Sequence, residues 1–348
     1  MNVYLGIDVG SISTNLVIVD GGGEVLFTLY DRGEGNPIRS IQQSLCRLEA
    51  ELPSNMTIAG VCTTGSGGRL AAVVVGADLF KNEITAHARA SIHLHPDVQT
   101  ILEIGGQDSK LTIVRDRLVV DFSMNLVCAA GTGSFLDSQA KRLGISIEAL
   151  SAAAVLSKNP TAIAGRCTVF AESDMIHKQQ SGHRQNDILM GLCHAMVRNF
   201  LSNVCRGKKI RPPIVFQGGV SANQGIRRAF TEALQMEIMV PKYSMVMGAY
   251  GAALLAVQAG IVKTGFRGFA IAEHKIETRS LLCSDCANNC ELLEIVDEGN
   301  LLRRTGGRCR KWDRSYFSGS EKVVVSDMAT RAGALEDKDC SDNCCSES

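Results

Sequence analysis

The sequence has few aromatic residues, no net charge and no long uninterrupted apolar segment. Of its 348 residues only 5% are aromatic and one is tryptophan, while 36 basic side chains balance 36 acidic ones. A chain without an excess of one charge has no field that would attract it to nucleic acid or to an anionic membrane. The composition therefore argues against both as partners.

The sequence also predicts neither a secretory signal nor a membrane-spanning segment. The first ten residues, MNVYLGIDVG, have no basic start, and Asp8 interrupts their apolar run. The most apolar stretch, residues 247–262, is too short and too rich in glycine to span a bilayer. Thirteen cysteines without such a signal indicate a reducing compartment. We expect a soluble, cytoplasmic protein.

What the sequence does have is glycine, 34 residues of it, in turns between apolar segments. LGIDVGSISTNLVIVD (5–20) and LEIGGQDSKLTIVRD (102–116) each predict a strand, a small-residue turn and a second strand. Their similarity predicts a duplicated α/β unit whose turns face one cleft. A third glycine turn, FQGGVSANQG (216–225), follows a predicted strand and precedes a helix that starts near Ile226.

Helices are predicted between these turns by the spacing of apolar residues. The small residues of MVMGAYGAALLAVQAG (245–260) indicate a helix that packs tightly against another element. The other predicted helices lie in NPIRSIQQSLCRLEAEL, GSFLDSQAKRLG and NDILMGLCHAMVRNFLSNVC. Strands that alternate with helices are typical of an α/β architecture.

The three turns resemble those of the actin, Hsp70 and sugar-kinase ATPase superfamily. That resemblance implies two RNase H-like (actin-like ATPase) domains around a nucleotide cleft that holds ATP or ADP with Mg²⁺. Carboxylates are hard oxygen ligands that suit Mg²⁺, and glycine turns let backbone N–H groups approach phosphates. The catalytic candidates are Asp8, also the candidate Mg²⁺ ligand, Glu103, Gln107 and Asp108. The candidate nucleotide-binding residues are Gly10, Ser11, Ser13, Gly105, Gly106, Lys110, Gly131, Gly133, Gly218, Gly219, Val220 and Asn223.

Two of these assignments have alternatives that the sequence leaves open. Glu103 stands where many members of the superfamily carry Asp, and the alternative is that it points outward from an exposed strand. Lys110 could neutralise phosphate or be merely solvated.

Two cysteines stand just before predicted helices: Cys128 in NLVCAAGTGSF and Cys167 in AGRCTVFAESDMI. The dipole at a helix start favours the thiolate form, which binds iron or zinc. The alternative is that both are small buried apolar residues, which is our interpretation of Cys46, Cys62, Cys193 and Cys205. An iron–sulfur cubane generally needs four cysteines, so two chains related by a two-fold axis would have to supply them.

Several motifs together resemble one family of ATPases. NLVCAAGTGSFLDSQAKRLG, GRCTVFAESDMI, EIGGQDSK and FQGGVSAN look like the activator ATPases of 2-hydroxyacyl-CoA dehydratases and the ATPase subunits of benzoyl-CoA reductase, over about residues 3 to 262. The resemblance implies a homodimer with a [4Fe-4S] cluster between its subunits, ligated by Cys128 and Cys167 of each. It further implies an electron donor, reduced ferredoxin or flavodoxin, and an acceptor, an iron–sulfur dehydratase or reductase that receives the electron with ATP hydrolysis. The benzoyl-CoA reductase subunits are heteromeric, so they leave the homodimer open.

Two other classes of function use the same cleft. One is a sugar-kinase or acetate-kinase type of phosphotransferase, in which the paired cysteines would be incidental. The other is an ATPase without redox chemistry that acts as a chaperone or scaffold.

The pattern changes after about residue 263 to short charged segments with clustered cysteines. Cys283, Cys286, Cys290 and Cys309 have the spacing Cys-x2-Cys-x3-Cys-x18-Cys, which supplies the ligands for one zinc ion or one further iron–sulfur cluster. Free thiols in a surface knuckle are the alternative. The predicted domains are 1–94 completed by helix 247–262, then 95–246, a cysteine-rich extension 263–328, and a disordered tail 329–348 that includes Cys340, Cys344 and Cys345.

Overall fold

The computed structural model describes residues 1–33, 35–125, 128–309 and 311–312. The end of the predicted extension and the whole predicted tail, with Cys340, Cys344 and Cys345, therefore lie outside the described residues. Within the described ranges, every helix is too short or too polar to cross a bilayer.

The first sheet is built on the predicted hairpin of residues 5–20. Its central strand is mostly apolar and is buried on both faces from Leu5 to Val9, and it pairs antiparallel with the next strand and parallel with a later one. The strands are β1 Asn2–Val9, β2 Ser13–Asp20, β3 Val25–Arg32, β4 Thr57–Thr64 and β5 Leu79–Phe80, in the order β3-β2-β1-β4-β5. The helices that accompany it are α1 Pro37–Glu51, α2 Gly68–Val75 and α3 Glu83–Leu94.

The second sheet repeats this topology. Its strands are β6 Thr100–Ile104, β7 Ser109–Arg115, β8 Leu118–Asn125, β9 Ile214–Gln217 and β10 Ile238–Met239, in the order β10-β9-β6-β7-β8. In both sheets the first three strands pair antiparallel with one another. Two later strands are parallel to the first strand: one pairs directly with it, and the other pairs with that strand at the edge of the sheet. The predicted duplication is thus confirmed. The helices here are α4 Gly133–Arg142, α5 Ile147–Ala154, α6 Thr168–Gln180, α7 Gln185–Asn203 and α8 Gln224–Leu234.

The glycine-rich helix packs as closely as its sequence predicts. This helix, α9 (Met247–Gln258), lies against β1 and β2 of the first sheet and against α3. A Cβ atom added to Gly251 would lie 1.7 Å from the carbonyl oxygen of Ala86 in α3, and one added to Gly6 would lie 1.9 Å from the carbonyl oxygen of Ala249. Only glycine lets these backbones touch.

The extension contains a sheet that the sequence interpretation missed. Its strands β11 Ile276–Leu282, β12 Glu291–Asp297 and β13 Asn300–Gly306 form an antiparallel meander. Ile271 and Ile295 join the apolar core of the first sheet, and Gln42 of α1 donates hydrogen bonds to the carbonyl oxygens of Ile271 and His274. The extension therefore packs on the first sheet and its helices.

The cysteines interpreted as apolar core residues divide into two groups. Cys62, Cys193 and Cys205 are buried, as predicted, and burial raises the pKa of each thiol to about 12. The prediction for Cys46 is wrong, because it lies on the exposed face of α1. Its apolar neighbours Leu45 and Leu48 occupy the buried face of the same helix.

We expect Gly251→Ala to destabilise the protein by about 2 kcal/mol or more, because the added methyl group has to push α9 away from α3. Thermal or urea unfolding measures this. The matched control is Gly21→Ala, where a Cβ atom meets no atom of the described residues within 4 Å. Equal stability of the two variants would contradict the tight contact.

Candidate functional site

The two duplicated hairpins place their turns on opposite sides of one cleft. In the first hairpin turn, residues 10–12, the Gly10 N–H donates to the carbonyl of Ser13 at 2.9 Å; in the second, residues 105–108, the Gly105 N–H donates to the carbonyl of Asp108 at 3.0 Å. The turns approach so closely that a Cβ atom on Gly106 would lie 2.4 Å from Ile12. The predicted residues that line this part of the cleft are Asp8, Gly10, Ser11, Ser13, Glu103, Gly105, Gly106, Gln107, Asp108, Lys110, Gly218 and Gly219.

A larger cavity of about 550 Å³ continues the cleft on the side of the second sheet. Of the predicted residues it is lined by Gly105, Gly106, Gly133, Gly219, Val220 and Asn223. Among the residues that the structure describes, the buried amide nitrogen of Asn223 has no hydrogen-bond partner, which leaves it for a polar ligand atom. The sequence interpretation missed the rest of this wall, which includes Tyr30, Leu136, Ile147, Ser151 and Met245. Gly131 lies outside the described lining of both cavities.

A buried cluster of charges lies at the end of the cleft beside the first turn. Lys110 is 1% exposed, and its Nζ lies 2.9 Å from Glu103 Oε1, 2.9 Å from Asp108 Oδ2 and 3.3 Å from Glu83 Oε2. Burial lowers the pKa of Lys110, but these carboxylates outweigh it and raise the pKa above its ordinary value. Glu103 is therefore buried rather than outward-facing, and Lys110 is paired with carboxylates rather than solvated. The role of Lys110 toward phosphate stays a prediction.

Two members of this cluster, Glu83 and His87, were missed from the sequence. They lie four residues apart on α3, a spacing that puts both side chains on one helix face. His87 Nδ1 lies 2.8 Å from the amide nitrogen of Gln217, and Ser91 donates to the oxygen of that amide at 2.7 Å. Burial, followed by the charge of Lys110, lowers the pKa of His87 to about 4. His87 is therefore neutral at neutral pH, and its 3.4 Å contact with Glu103 is not an ion pair there.

Asp8 is the buried carboxylate that directly precedes the first turn. Burial raises its pKa to about 7, and the charges of Glu103 and Glu83 add to the rise. Next to it, the buried oxygens of Asn15 and Thr64 have no hydrogen-bond partner within the described part of the chain. Crowded carboxylates with spare neutral oxygens fit a hydrated Mg²⁺ ion, which would offset their repulsion and use those oxygens through its water ligands.

The two cysteines singled out from the sequence are both free and partly exposed. Cys167 directly precedes α6, as predicted. Cys128 precedes a three-residue 3₁₀ turn, Ala129–Gly131, and α4 starts only at Gly133, so its helix start is shorter than predicted. The side chain of Asn125 accepts from the Cys128 N–H at 2.9 Å and donates to the Cys128 carbonyl at 2.6 Å. This pair of bonds fixes the backbone of Cys128.

The Cys128 segment is joined to the second hairpin turn by backbone hydrogen bonds. At the start of α4, the N–H of Gly133 donates to the carbonyl of Gly105 at 2.9 Å, and that of Ser134 donates to the carbonyl of Gly106 at 2.8 Å. The Ser134 hydroxyl donates to the same Gly106 carbonyl at 2.6 Å. A displacement of the turn therefore moves the start of α4, five residues after Cys128.

Helix α7 connects the two cysteine segments. The buried amide of Asn199 donates to the carbonyl of Gly165, two residues before Cys167, at 2.8 Å. A Cβ atom added to Gly131, in the turn after Cys128, would lie 2.9 Å from the side-chain oxygen of Asn199. Gly131, predicted to bind the nucleotide, is thus placed against Asn199.

The four cysteines of the extension lie near one end of its sheet. Cys283, Cys286 and Cys290 belong to the connection between β11 and β12, while Cys309 follows β13 and is exposed. All ten cysteines of the described ranges are free thiols. Across those same ranges, no three His, Cys, Asp or Glu side chains are grouped closely enough to ligate a metal ion directly, so the Mg²⁺ considered above would be held through its water ligands.

The sequence profile of the BadF/BadG/BcrA/BcrD ATPase family matches residues 5–256. The chain belongs to that family. It is 35% identical over 260 residues to the (R)-2-hydroxyglutaryl-CoA dehydratase activating ATPase of Acidaminococcus fermentans, covering 74% of this chain and 98% of the relative. It is 28% identical over 267 residues to a subunit of the benzoyl-CoA reductase of Thauera aromatica, covering 73% of this chain and 93% of the relative.

Solved structures of family members have the same fold as this chain. The activator of the 2-hydroxyisocaproyl-CoA dehydratase from Clostridium difficile with bound ADPNP has a TM-score of 0.67 at 32% identity, covering 74% of this chain and 95% of that one. The predicted α/β fold of two actin-like ATPase domains is confirmed. The family match ends at residue 256, before the extension.

We expect Asp8→Asn to stabilise the protein in solutions without divalent cations or nucleotide. Because the native pKa of Asp8 lies above its ordinary value, the native state binds more protons than the unfolded chain between about pH 4 and about pH 7, and stability falls as the pH rises through that window. Asp8→Asn does not undergo this loss of stability. Its free energy of unfolding should therefore exceed that of the wild type by an amount that grows from pH 4 to pH 7 and reaches about 1 to 3 kcal/mol.

Urea unfolding at several pH values measures this difference. The control is Asp97→Asn, which changes an exposed carboxylate outside the cleft. A constant difference between wild type and Asp8→Asn across the window would contradict the raised pKa.

Proposed function

We propose that the protein is an ATP-dependent electron-transfer component that activates a partner iron–sulfur enzyme. ATP and Mg²⁺ occupy the cleft, with the phosphates between the two hairpin turns and the nucleoside in the cavity of about 550 Å³. A [4Fe-4S] cluster bound between two copies of the chain would carry the electron. The relatives that support this assignment are described as activators of 2-hydroxyacyl-CoA dehydratases and as a subunit of benzoyl-CoA reductase.

One observation carries the proposal: the connection from the second hairpin turn to Cys128. The turn that would hold phosphate also accepts hydrogen bonds from the first N–H groups of α4. The proposed phosphate site and the start of α4 therefore share the backbone of Gly105 and Gly106. Loss of the γ-phosphate that shifts Gly105 and Gly106 would shift α4 and the cysteine segment before it.

The dimer follows from the number of ligands on one chain. Cys128 and Cys167 provide two thiols, and a cubane cluster generally needs four. Val169 and Phe170, in the first turn of α6 after Cys167, are 66% and 67% exposed. Apolar side chains next to a half-complete ligand set suit a two-fold contact with a second copy. We propose a homodimer with the cluster on its axis, in the reducing conditions of the cytoplasm.

Within the cleft we assign roles to the four catalytic candidates and to Lys110. Asp8 would hold the hydrated Mg²⁺, and the charge of the ion would offset the repulsion between the carboxylates. Glu103 and Asp108 fix the position of Lys110, and the ion pair between Lys110 and Asp108 holds the second hairpin turn in place. Gln107 faces the phosphate end and orients the attacking water. Reduced ferredoxin or flavodoxin is the donor, and an iron–sulfur dehydratase or reductase is the acceptor.

Anaerobic reconstitution with ferrous iron and sulfide tests the proposal. The wild type should become brown and hold about four iron and four sulfide ions per dimer. Cys128→Ser and Cys167→Ser should each lose this iron, while Cys46→Ser, which removes an exposed cysteine of α1, should keep it. Iron content that is unaffected by both serine substitutions would refute the assignment. A phosphotransferase would stay colourless and phosphorylate a small acceptor.

The same preparation tests whether Asn199 positions the cysteine segments. Asn199→Ala breaks the bond to Gly165, so we expect a loss of about 1 to 3 kcal/mol in stability and severalfold faster extraction of iron by a chelator. ATP binding should not change, because Asn199 lies outside the described lining of the cavity of about 550 Å³. The control is Asn186→Ala, which changes a partly exposed residue of the same helix. An unchanged extraction rate would exclude this positioning role.

A further inference from the structure

The extension carries four cysteines that the electron-transfer proposal does not use. Three of them surround the reversal of chain direction between β11 and β12. The N–H of Cys283 donates to the carbonyl of Cys290 at 2.8 Å, so these two residues face each other across the two strands. The carbonyl of Cys286, between them, accepts from the N–H of Asn289 at 3.2 Å. The connection is a compact loop with a cysteine at each side and one within it.

The segment that contains the fourth cysteine touches this loop on both sides of Cys309. A Cβ atom on Gly307 would lie 3.8 Å from the Cβ atom of Cys290. Two residues beyond Cys309, Lys311 forms an ion pair with Asp285 in the loop. Cys309 is therefore confined between two contacts with the same loop, although 18 residues separate it from Cys290 along the chain.

Positive charge stands beside the fourth cysteine in the sequence. Cys309 is flanked by Arg308, Arg310 and Lys311. Cations next to thiolate ligands would offset part of the negative charge that a four-thiolate centre acquires.

The sheet of the extension also has little apolar material of its own. Leu292, Ile295 and Val296 are its buried apolar side chains on β12, while Leu282 and Leu301 are 69% and 50% exposed. Small folds with such a limited core are commonly stabilised by a structural metal.

We propose that Cys283, Cys286, Cys290 and Cys309 bind one structural zinc ion, which fastens the end of β13 to the loop between β11 and β12. The four thiols would release their four protons to solvent as they bind Zn²⁺, giving a closed tetrahedral site. No three of the described side chains are grouped within ligand distance, so zinc binding would have to close the loop between β11 and β12 around the ion and also draw the exposed Cys309 inward. This site does not depend on the cluster at Cys128 and Cys167.

Metal analysis of the full chain, purified without oxygen from medium that contains zinc, tests the proposal. The double variant Cys128→Ser/Cys167→Ser should keep about one zinc ion per chain. The double variant Cys286→Ser/Cys290→Ser should lose the zinc and keep the iron of the dimer, and Cys46→Ser should keep both. Zinc that survives Cys286→Ser/Cys290→Ser, or iron and sulfide in place of zinc in the Cys128→Ser/Cys167→Ser protein, would overturn the proposal.

A second measurement needs no substitution in the extension, in case its variants fail to fold. Alkylation of Cys309 by iodoacetamide, followed by mass spectrometry, should be at least about tenfold slower with bound zinc than after chelation, because a metal-bound thiolate is shielded. Alkylation of Cys46 in the same samples should not change. Equal rates at Cys309 with and without zinc would show that this thiol is not a ligand. Either result is independent of whether the dimer binds iron.

Discussion

The arrangement of the cleft depends on one buried cation among carboxylates. Lys110 contacts Glu83, Glu103 and Asp108, which come from α3 and from the second hairpin, so a single ammonium group joins the first half of the duplicated fold to the second. With Asp8 beside them and His87 neutral, the negative charges of this described cluster exceed the positive one. Under the proposed function, the divalent cation that accompanies a polyanionic nucleotide would offset the repulsion between its phosphates and these carboxylates.

The backbone also connects the cleft to the cysteine segments. The bonds from Gly133 and Ser134 to the second hairpin turn use main-chain atoms, so the connection does not depend on one side chain except at the Ser134 hydroxyl. On the far side, α7 holds both cysteine segments through Asn199 and through the close approach of Gly165 to Ala195. One segment can move with the turn while α7 supports both, which is the mechanical requirement for changing the surroundings of a shared group.

Much of this could be predicted from the sequence, because the informative features are local. Repeated strand–turn–strand patterns revealed the duplication, and glycine turns revealed most of the cleft lining. Glu83 and His87 were missed because their helix is far in sequence from the turns that they serve, and only tertiary structure brings them to Lys110 and Glu103. The face of α1 on which Cys46 lies was misjudged because the leucines near it occupy the opposite, buried side. The sheet of the extension was missed because its outer strands β11 and β13 contain no fully buried residue and alternate only weakly.

The contact between the extension and α1 has a consequence for any opening of the cleft. Gln42, Ile271 and Ile295 attach the extension to the half of the molecule that carries the first hairpin turn, whereas Cys128 and Cys167 belong to the other half. A hinge motion between the halves would carry the extension toward or away from those thiols. A macromolecule that touches both surfaces at once would then sense, from their separation alone, which nucleotide the cleft contains.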